Sequence, residues 1–338
     1  MSTQTDSRAG FLREAIPSAV TPEAELVAGA SAAAVPASGV EQRPPFPVRA
    51  GRAAVFAGRA LAEACRVFRT APARDRLGLA LMVLRMRAKH FLIKLSPRWR
   101  FRSERLFGWT VECFDYYELL TTIEIIFLAR EYHFEPRNSR PRILDCGSNI
   151  GLSLLFFKRE FPESRIDAFE PDPQAFSLLR RNVERNSLRG IELHNQAVAG
   201  SEGPRDFFRD PRRPGSTAMS LREECRLPRR ETVEGVLLSG FIHEDVDLLK
   251  LDVEGAELEV IEDLDRTGQI RRVRQIVVEY HPRLFPERDG YSWLRQTLEG
   301  NGFECEIRSG EPGPSGSGAL HPITLYARRR AATAGHEA

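Results

Sequence analysis

Cysteine is scarce in this 338-residue chain. Cys65, Cys113, Cys146, Cys225 and Cys305 are scattered, odd in number and without a C-x-x-C pair. That usage argues against a disulfide framework or a structural zinc and suits a reducing cytoplasm. Long apolar runs are missing too, so nothing reaches the length needed to cross a bilayer. The first residues lack the charged-then-apolar order of a secretory signal, so export is not expected. Neither sign of charge dominates: 49 Lys and Arg against 47 Asp and Glu leave +2, which says little about partners. No internal repeat is visible. With 42% apolar and 28% charged residues, the chain can bury one good-sized α/β core and carry extra segments.

Composition divides the chain. Residues 1–45 are rich in Ala, Pro, Ser and Gly with no apolar period and read as a disordered tail. Residues 331–338 read as a second short tail. Between Arg43 and Arg105 stand sixteen Lys or Arg and three acidic residues. Helices are expected at about 53–68 and 76–95, making 46–100 a basic helical extension. The second helix mixes Leu77, Leu81, Leu84, Phe91, Ile93 and Leu95 with Arg85, Arg87, Lys89 and Lys94. Such a segment either caps the acceptor cleft or lies on the inner face of an anionic membrane. Capping is the favoured reading, with a cytoplasmic enzyme in either case. No helix-turn-helix or aromatic-interleaved pattern supports nucleic acid.

The most informative run is Arg142-Ile143-Leu144-Asp145-Cys146-Gly147-Ser148-Asn149-Ile150-Gly151. An apolar lead-in, an Asp and two glycines before an amphipathic helix build a small-molecule site at a strand end. The glycines let the backbone turn tightly and approach a ligand. Dinucleotide loops read G-x-G-x-x-G around a pyrophosphate. A carboxylate in the leading position repels that anion and suits a cationic group, such as the ammonium of a methionine moiety. S-adenosylmethionine therefore fits better than NAD; an ordinary strand–turn–helix is the plain alternative.

About twenty residues on, the strand Arg165–Phe169 ends at Glu170, where a doubly wound fold places the carboxylate that accepts from a ribose diol. A third strand, Asp247–Leu251, opens into Asp252, Glu254 and Glu257. A fourth ends in Glu279-Tyr280-His281-Pro282 and delivers a histidine to the same sheet edge. His281 is the first candidate for a general base, because its ordinary pKa lies near neutrality. Asp252 comes second, with Glu254 and Glu257 positioning the turn. No metal is expected, although these carboxylates could hold magnesium.

ILDCGSNIG, FEPDP, NQAVAG, LLKLDVEGAELEVI and VVEYHP, in that order, resemble the FkbM family of class I methyltransferases. Phe114-Asp115-Tyr116-Tyr117 to Glu131-Tyr132 and Gly215-Ser216-Thr217-Ala218-Met219 are similar as well, and the likeness spans roughly 101–330. It implies a doubly wound, Rossmann-like α/β domain with a mostly parallel sheet and a C-terminal antiparallel hairpin. It also implies S-adenosylmethionine as cofactor and a small-molecule or glycan acceptor, methylated on a hydroxyl. Asp145, Gly147, Ser148, Asn149 and Gly151 are then the methionine-side loop and Glu170 the ribose contact. Asp172, Asn195 and Ala197 line the adenine end, and Glu131 and Tyr132 brace the methionine carboxylate. An NAD oxidoreductase and a non-catalytic scaffold on the same fold remain the alternatives.

The expected order is strand 141–146, helix 151–160, strand 164–169, helix 173–186 and strand 190–195. Strand 246–251, helix 255–264, strand 273–279 and a hairpin of 302–308 with 322–328 follow. Residues 200–244 are expected to be a flexible lid or a surface loop.

Overall fold

The computed structural model describes residues 46–70, 73, 75–96, 98–213, 215–216, 219–285, 289–309 and 322–330. The expected tails 1–45 and 331–338, the loop Gly310–Gly318, and Pro214, Thr217 and Ala218 lie outside the described residues. From Ala60 onward the chain forms one compact unit, distinct from Met1–Arg59.

That unit is built on a seven-stranded sheet. Its strands are β3 (Arg142–Cys146), β4 (Arg165–Phe169), β5 (Ile191–His194), β9 (Leu248–Leu251), β10 (Gln275–Tyr280), β11 (Phe303–Ser309) and β12 (Ile323–Arg329). They lie in the order β11-β12-β10-β9-β3-β4-β5. β9, β3, β4 and β5 are parallel, as are β10 and β9, whereas β12 runs antiparallel between β10 and β11. Helices α4 (Leu152–Glu160), α5 (Pro173–Arg185), α6 (Glu257–Arg266) and α7 (Gly290–Gly300) connect them. The doubly wound, mostly parallel architecture with its terminal antiparallel hairpin is the expected one. Chain order reverses between β3 and β9, and the crevice beyond the carboxyl ends of such a pair is where open α/β sheets bind ligands.

The sequence explains these elements locally. β3, β9 and β10 are almost wholly buried and read as continuous apolar runs, as strands covered on both faces must. One apolar cluster gathers Phe156, Phe157 and Leu179; a second gathers Leu258, Ile261, Leu294 and Phe303. α5 starts with Pro173 in its first turn and Asp172 as its cap.

Helices α1 (Phe46–Thr70) and α2 (Arg76–Leu95) precede the sheet. α2 buries Leu79, Ala80, Met82, Val83 and Met86 in the same cluster as Phe156. Its other apolar stripe stays outside: Leu77, Leu81 and Leu95 are exposed, as are Leu61 and Phe68 of α1. Among the described residues no helix is long and apolar enough to cross a membrane. Much of the basic charge is matched internally. Arg87 pairs with Glu63, Arg85 and Lys89 share the buried Glu104, and Arg159 holds Asp75. Glu104 sits on a small hairpin, β1 (Ser103–Leu106) with β2 (Trp109–Glu112), which leads into α3 (Tyr116–Ile123) and a π-helical turn, Glu124–Leu128.

The 200–244 stretch differs from its expectation. β7 (Gly203–Arg209) and β8 (Arg229–Val236) pair antiparallel, and the short β6 (Ala197–Val198) adds to β8. A second, three-stranded sheet stands where a lid or plain loop was predicted. These strands bury part of one face around Phe207 and Val233, and on the other Phe208 is buried among charged and polar neighbours. Their apolar period is therefore too thin to read as strand.

Candidate active site

β3 ends where the chain turns sharply through Gly147 (φ +86°), Asn149 (φ +47°) and Gly151 (φ +92°). All three lie in the left-handed region that glycine tolerates best. At Gly147 the reason is also steric: a Cβ would stand 1.8 Å from the Asp252 carbonyl oxygen. The loops after β3 and β9 thus touch backbone to backbone, and only glycine fits between them.

Asp145 is fully buried. One of its oxygens accepts from the Ser153 hydroxyl at 2.5 Å, and the other lies 3.5 Å from the Lys250 ammonium. The carboxylate expected to face a methionine ammonium is instead turned into the protein. The physical reason is Lys250, whose Nζ sits 3.3 Å from Asp252 and donates to the carbonyls of Gly147 (2.6 Å) and Cys146 (3.2 Å). Burial disfavours that charge, but Asp252 and Asp145 outweigh it and raise the lysine pKa above its ordinary value. The Tyr132 ring covers the ammonium, 5.6 Å from Nζ to centroid. Lys250 was visible only as part of a motif, with no role attached. Its signal was a lysine at a strand position where both neighbours are buried leucines.

Other expected ligand contacts also serve the loops themselves. Glu170 accepts from the backbone N–H of Asn149 (2.8 Å) and of Asp172 (2.9 Å). Burial, with Asp172 nearby, pushes its carboxyl up to about 7. Asp172, expected at the adenine end, caps α5 by accepting from Gln174 and Ala175. Asn195 donates to the carbonyls of Glu170 and Pro171, and Ala197 is buried in β6. Ser148 donates to the Asp145 carbonyl, and the Asn149 amide to Gly215. Glu131 accepts from Ser309 at 2.7 Å.

A cavity opens over Gly147, Ser148 and Asn149, with Lys250, Asp252 and Tyr132 in its wall. α3 closes another side through Glu118 and Thr122, and Gly215 comes down beside Phe114. Phe114 and Asp115, at the start of the Phe114–Tyr117 run, line the cavity as well, a placement their sequence alone does not reveal.

Beside this cavity the acidic residues converge. Glu254 adopts φ +51°, a strained conformation for a residue with a Cβ, and Gly255 follows at φ +113°. Glu257 accepts from the Gly255 N–H and meets His281 Nδ1 at 2.9 Å. His281 Nε2 lies 3.3 Å from Glu254 and 3.8 Å from Glu279. Burial works against charge on this imidazole, yet Glu254 and Glu257 prevail and raise its pKa well above the usual histidine value. His281 is 1% exposed and does not line the cavity, whereas Asp252 does. Burial raises Glu254, an effect His281 opposes. Glu279 is raised well above the carboxylate range by burial and by Asp252.

Residues 145–305 match the Methyltransferase FkbM domain family. Methyltransferase 1 of Beauveria bassiana (strain ARSEF 2860) is 29% identical over 203 residues, covering 54% of this chain and 80% of that protein. Methyltransferase sdnD of Sordaria araneosa is 31% identical over 201 residues, 48% of this chain and 77% of that protein. The 31-O-demethyl-FK506 methyltransferase FkbM of Streptomyces tacrolimicus is 31% identical over 178 residues, 41% of this chain and 65% of that protein.

Proposed function

This chain belongs to the FkbM family of methyltransferases, and from that premise we propose that it methylates a hydroxyl of a sugar, glycan or natural product, using S-adenosylmethionine. The observation that carries the proposal is the cavity between the glycine loop and Asp252. One relative's name specifies transfer to an oxygen of a natural product, which supports the hydroxyl class.

The residues suit a sulfonium cofactor. Asp115, Glu118 and Asp252 line the cavity against a single lining lysine, Lys250, so a positive group meets a surplus of negative charge. Glu170 uses one acceptor position on each oxygen, and a carboxylate offers about four in all. Lone pairs therefore remain for ribose hydroxyls. When bound, the cofactor supplies an electrophilic methyl group on positively charged sulfur.

The chain's own residues then divide the work. Gly147, Ser148, Asn149 and Gly151 shape the methionine side of the cavity. Lys250 locks the loops after β3 and β9 together through two carbonyls and two carboxylates. Asp252 is the carboxylate that meets the acceptor hydroxyl and takes up its proton as the O–H bond breaks. His281 is a positioning residue, held by Glu257 and holding Glu254 in turn. Much of the rate advantage comes from orienting the acceptor oxygen, since effective molarities for well-aligned groups reach about 10⁵ M or more.

Transfer of tritiated methyl from S-adenosylmethionine to a panel of hydroxylated sugars, glycans and polyketides tests the proposal. A methyl ether product is expected. Label found only on nitrogen or carbon would contradict the hydroxyl assignment.

A further inference from the structure

Two buried polar atoms beside the cavity face one another without a good hydrogen bond. They are His281 Nε2 and Glu254 Oε2, which lie 3.3 Å apart. The opposite nitrogen of the same ring is fixed by Glu257 at 2.9 Å, and Glu257 is itself fully buried and clamped on the Gly255 N–H. Nε2 is therefore aimed, not free to turn. One oxygen of Asp252, one of Glu279 and a ring nitrogen of His281 all lie within 4.8 Å of one another.

We propose that Asp252, Glu279 and His281 bind a divalent cation, of the Mg²⁺ or Mn²⁺ class, beside the acceptor end of the cavity. Two carboxylates and one imidazole form a donor set in which hard oxygen ligands predominate, as these ions prefer. Donors on one such ion stand no more than about 4.2 Å apart, so a small inward movement closes the set. Glu257 supplies the outer-shell contact that metal-bound histidines regularly have. A cation that takes the place of the Nε2 proton faces the carboxyl groups of Asp252, Glu254 and Glu279 together, and its binding releases protons from the site. Asp252 lines the cavity and binds the ion through one oxygen, keeping the other for the acceptor proton, so the open positions of the ion face the acceptor. An acceptor oxygen placed there is oriented and polarised by the ion. The inference rests on the methyltransferase reading for the acceptor, but not for the ion.

The test is titration of the full chain with Mn²⁺, read by loss of the free-ion electron paramagnetic resonance signal, with spin-echo modulation to detect a bound nitrogen. Wild-type protein is expected to take up one Mn²⁺ per chain with nitrogen modulation from His281. Glu279→Gln is expected to weaken uptake by at least about tenfold. Absence of saturable uptake by wild-type protein at about 1 mM Mn²⁺ would overturn the site; so would uptake without nitrogen modulation that Glu279→Gln leaves unchanged. S-adenosylhomocysteine titrated into the same preparation separates the two readings. Binding of that ligand without Mn²⁺ uptake removes the ion and leaves the methyltransferase assignment standing.

Discussion

The loops after β3 and β4, and those after β9 and β10, leave the same sheet edge, and the two pairs treat their polar groups in opposite ways. In the first, nearly every polar side chain serves the protein. Asp145 meets Ser153 and Lys250, Glu170 holds two backbone N–H groups, and Asp172 caps α5. In the second, Glu254 and His281 meet each other at 3.3 Å, buried and out of good hydrogen-bond geometry. The first pair is a finished cradle that offers backbone; the second holds charge in reserve for a reacting ligand. Lys250 joins them, and its ammonium makes the order of one depend on the other.

The sharpest way to break the comparison is Gly147→Val. With the Asp252 carbonyl 1.8 Å from a new Cβ, both loops must move. The expected loss is about 4 kcal/mol or more of stability, with S-adenosylhomocysteine binding abolished. Normal binding by this variant, measured calorimetrically, would remove the cradle from the site.

Lys250→Met cuts the link while keeping much of the volume. Asp145 and Asp252 lose their counter-charge, and breaking a buried pair from one side costs about 3 to 5 kcal/mol. Chemical denaturation reads this directly. An unchanged midpoint would mean the lysine is not a structural cation.

Asp252→Asn separates the loops by function. Turnover is expected to fall by about 10² to 10⁴ while S-adenosylhomocysteine affinity stays near wild type. Equal losses in both would place Asp252 with the cofactor, not the acceptor.

The pH dependence sharpens the first pair of loops alone. Glu170, held up at about 7 by burial and by Asp172, is largely protonated at pH 6 and ionised at pH 8. If its carboxylate accepts from the ribose, cofactor affinity rises across that interval, by at most about tenfold per unit below the pKa. The same shift acts oppositely on folding. The folded chain holds this proton longer than the unfolded one, so its contribution to stability falls as pH rises from about 4.3 towards 7. Glu170→Gln is expected to flatten both profiles.

The smallest effect separates scaffold from ligand contact. Asp172→Ala removes a helix cap and is expected to cost about 1 kcal/mol, read from the thermal midpoint. Cofactor affinity at pH 8 is expected to stay close to wild type. A tenfold loss there would return Asp172 to the adenine end.

The parallel core was legible because β3, β4, β9 and β10 are continuous apolar runs separated by helices of plain period. The second sheet was not, since the solvent face of β7 and β8 carries the charge that elsewhere marks a loop. In the site, the motif positions were readable, but the direction of each side chain was not. Asp145 stands where a carboxylate was expected, yet the lysine that turns it inward is more than a hundred residues away in sequence. His281 was legible as a histidine at a strand end. Glu279 stands two residues before it, but Glu254 in the turn before α6 and Glu257 at its start reach it only when β9 and β10 lie side by side.

The central measurement is calorimetric titration of the purified chain with S-adenosylhomocysteine, with NAD titrated in parallel. Saturable binding of S-adenosylhomocysteine alone is the expected result, in keeping with a cavity rimmed by carboxylates. Binding of NAD instead, or of neither by protein shown to be folded, would contradict the assignment of that cavity to a sulfonium cofactor.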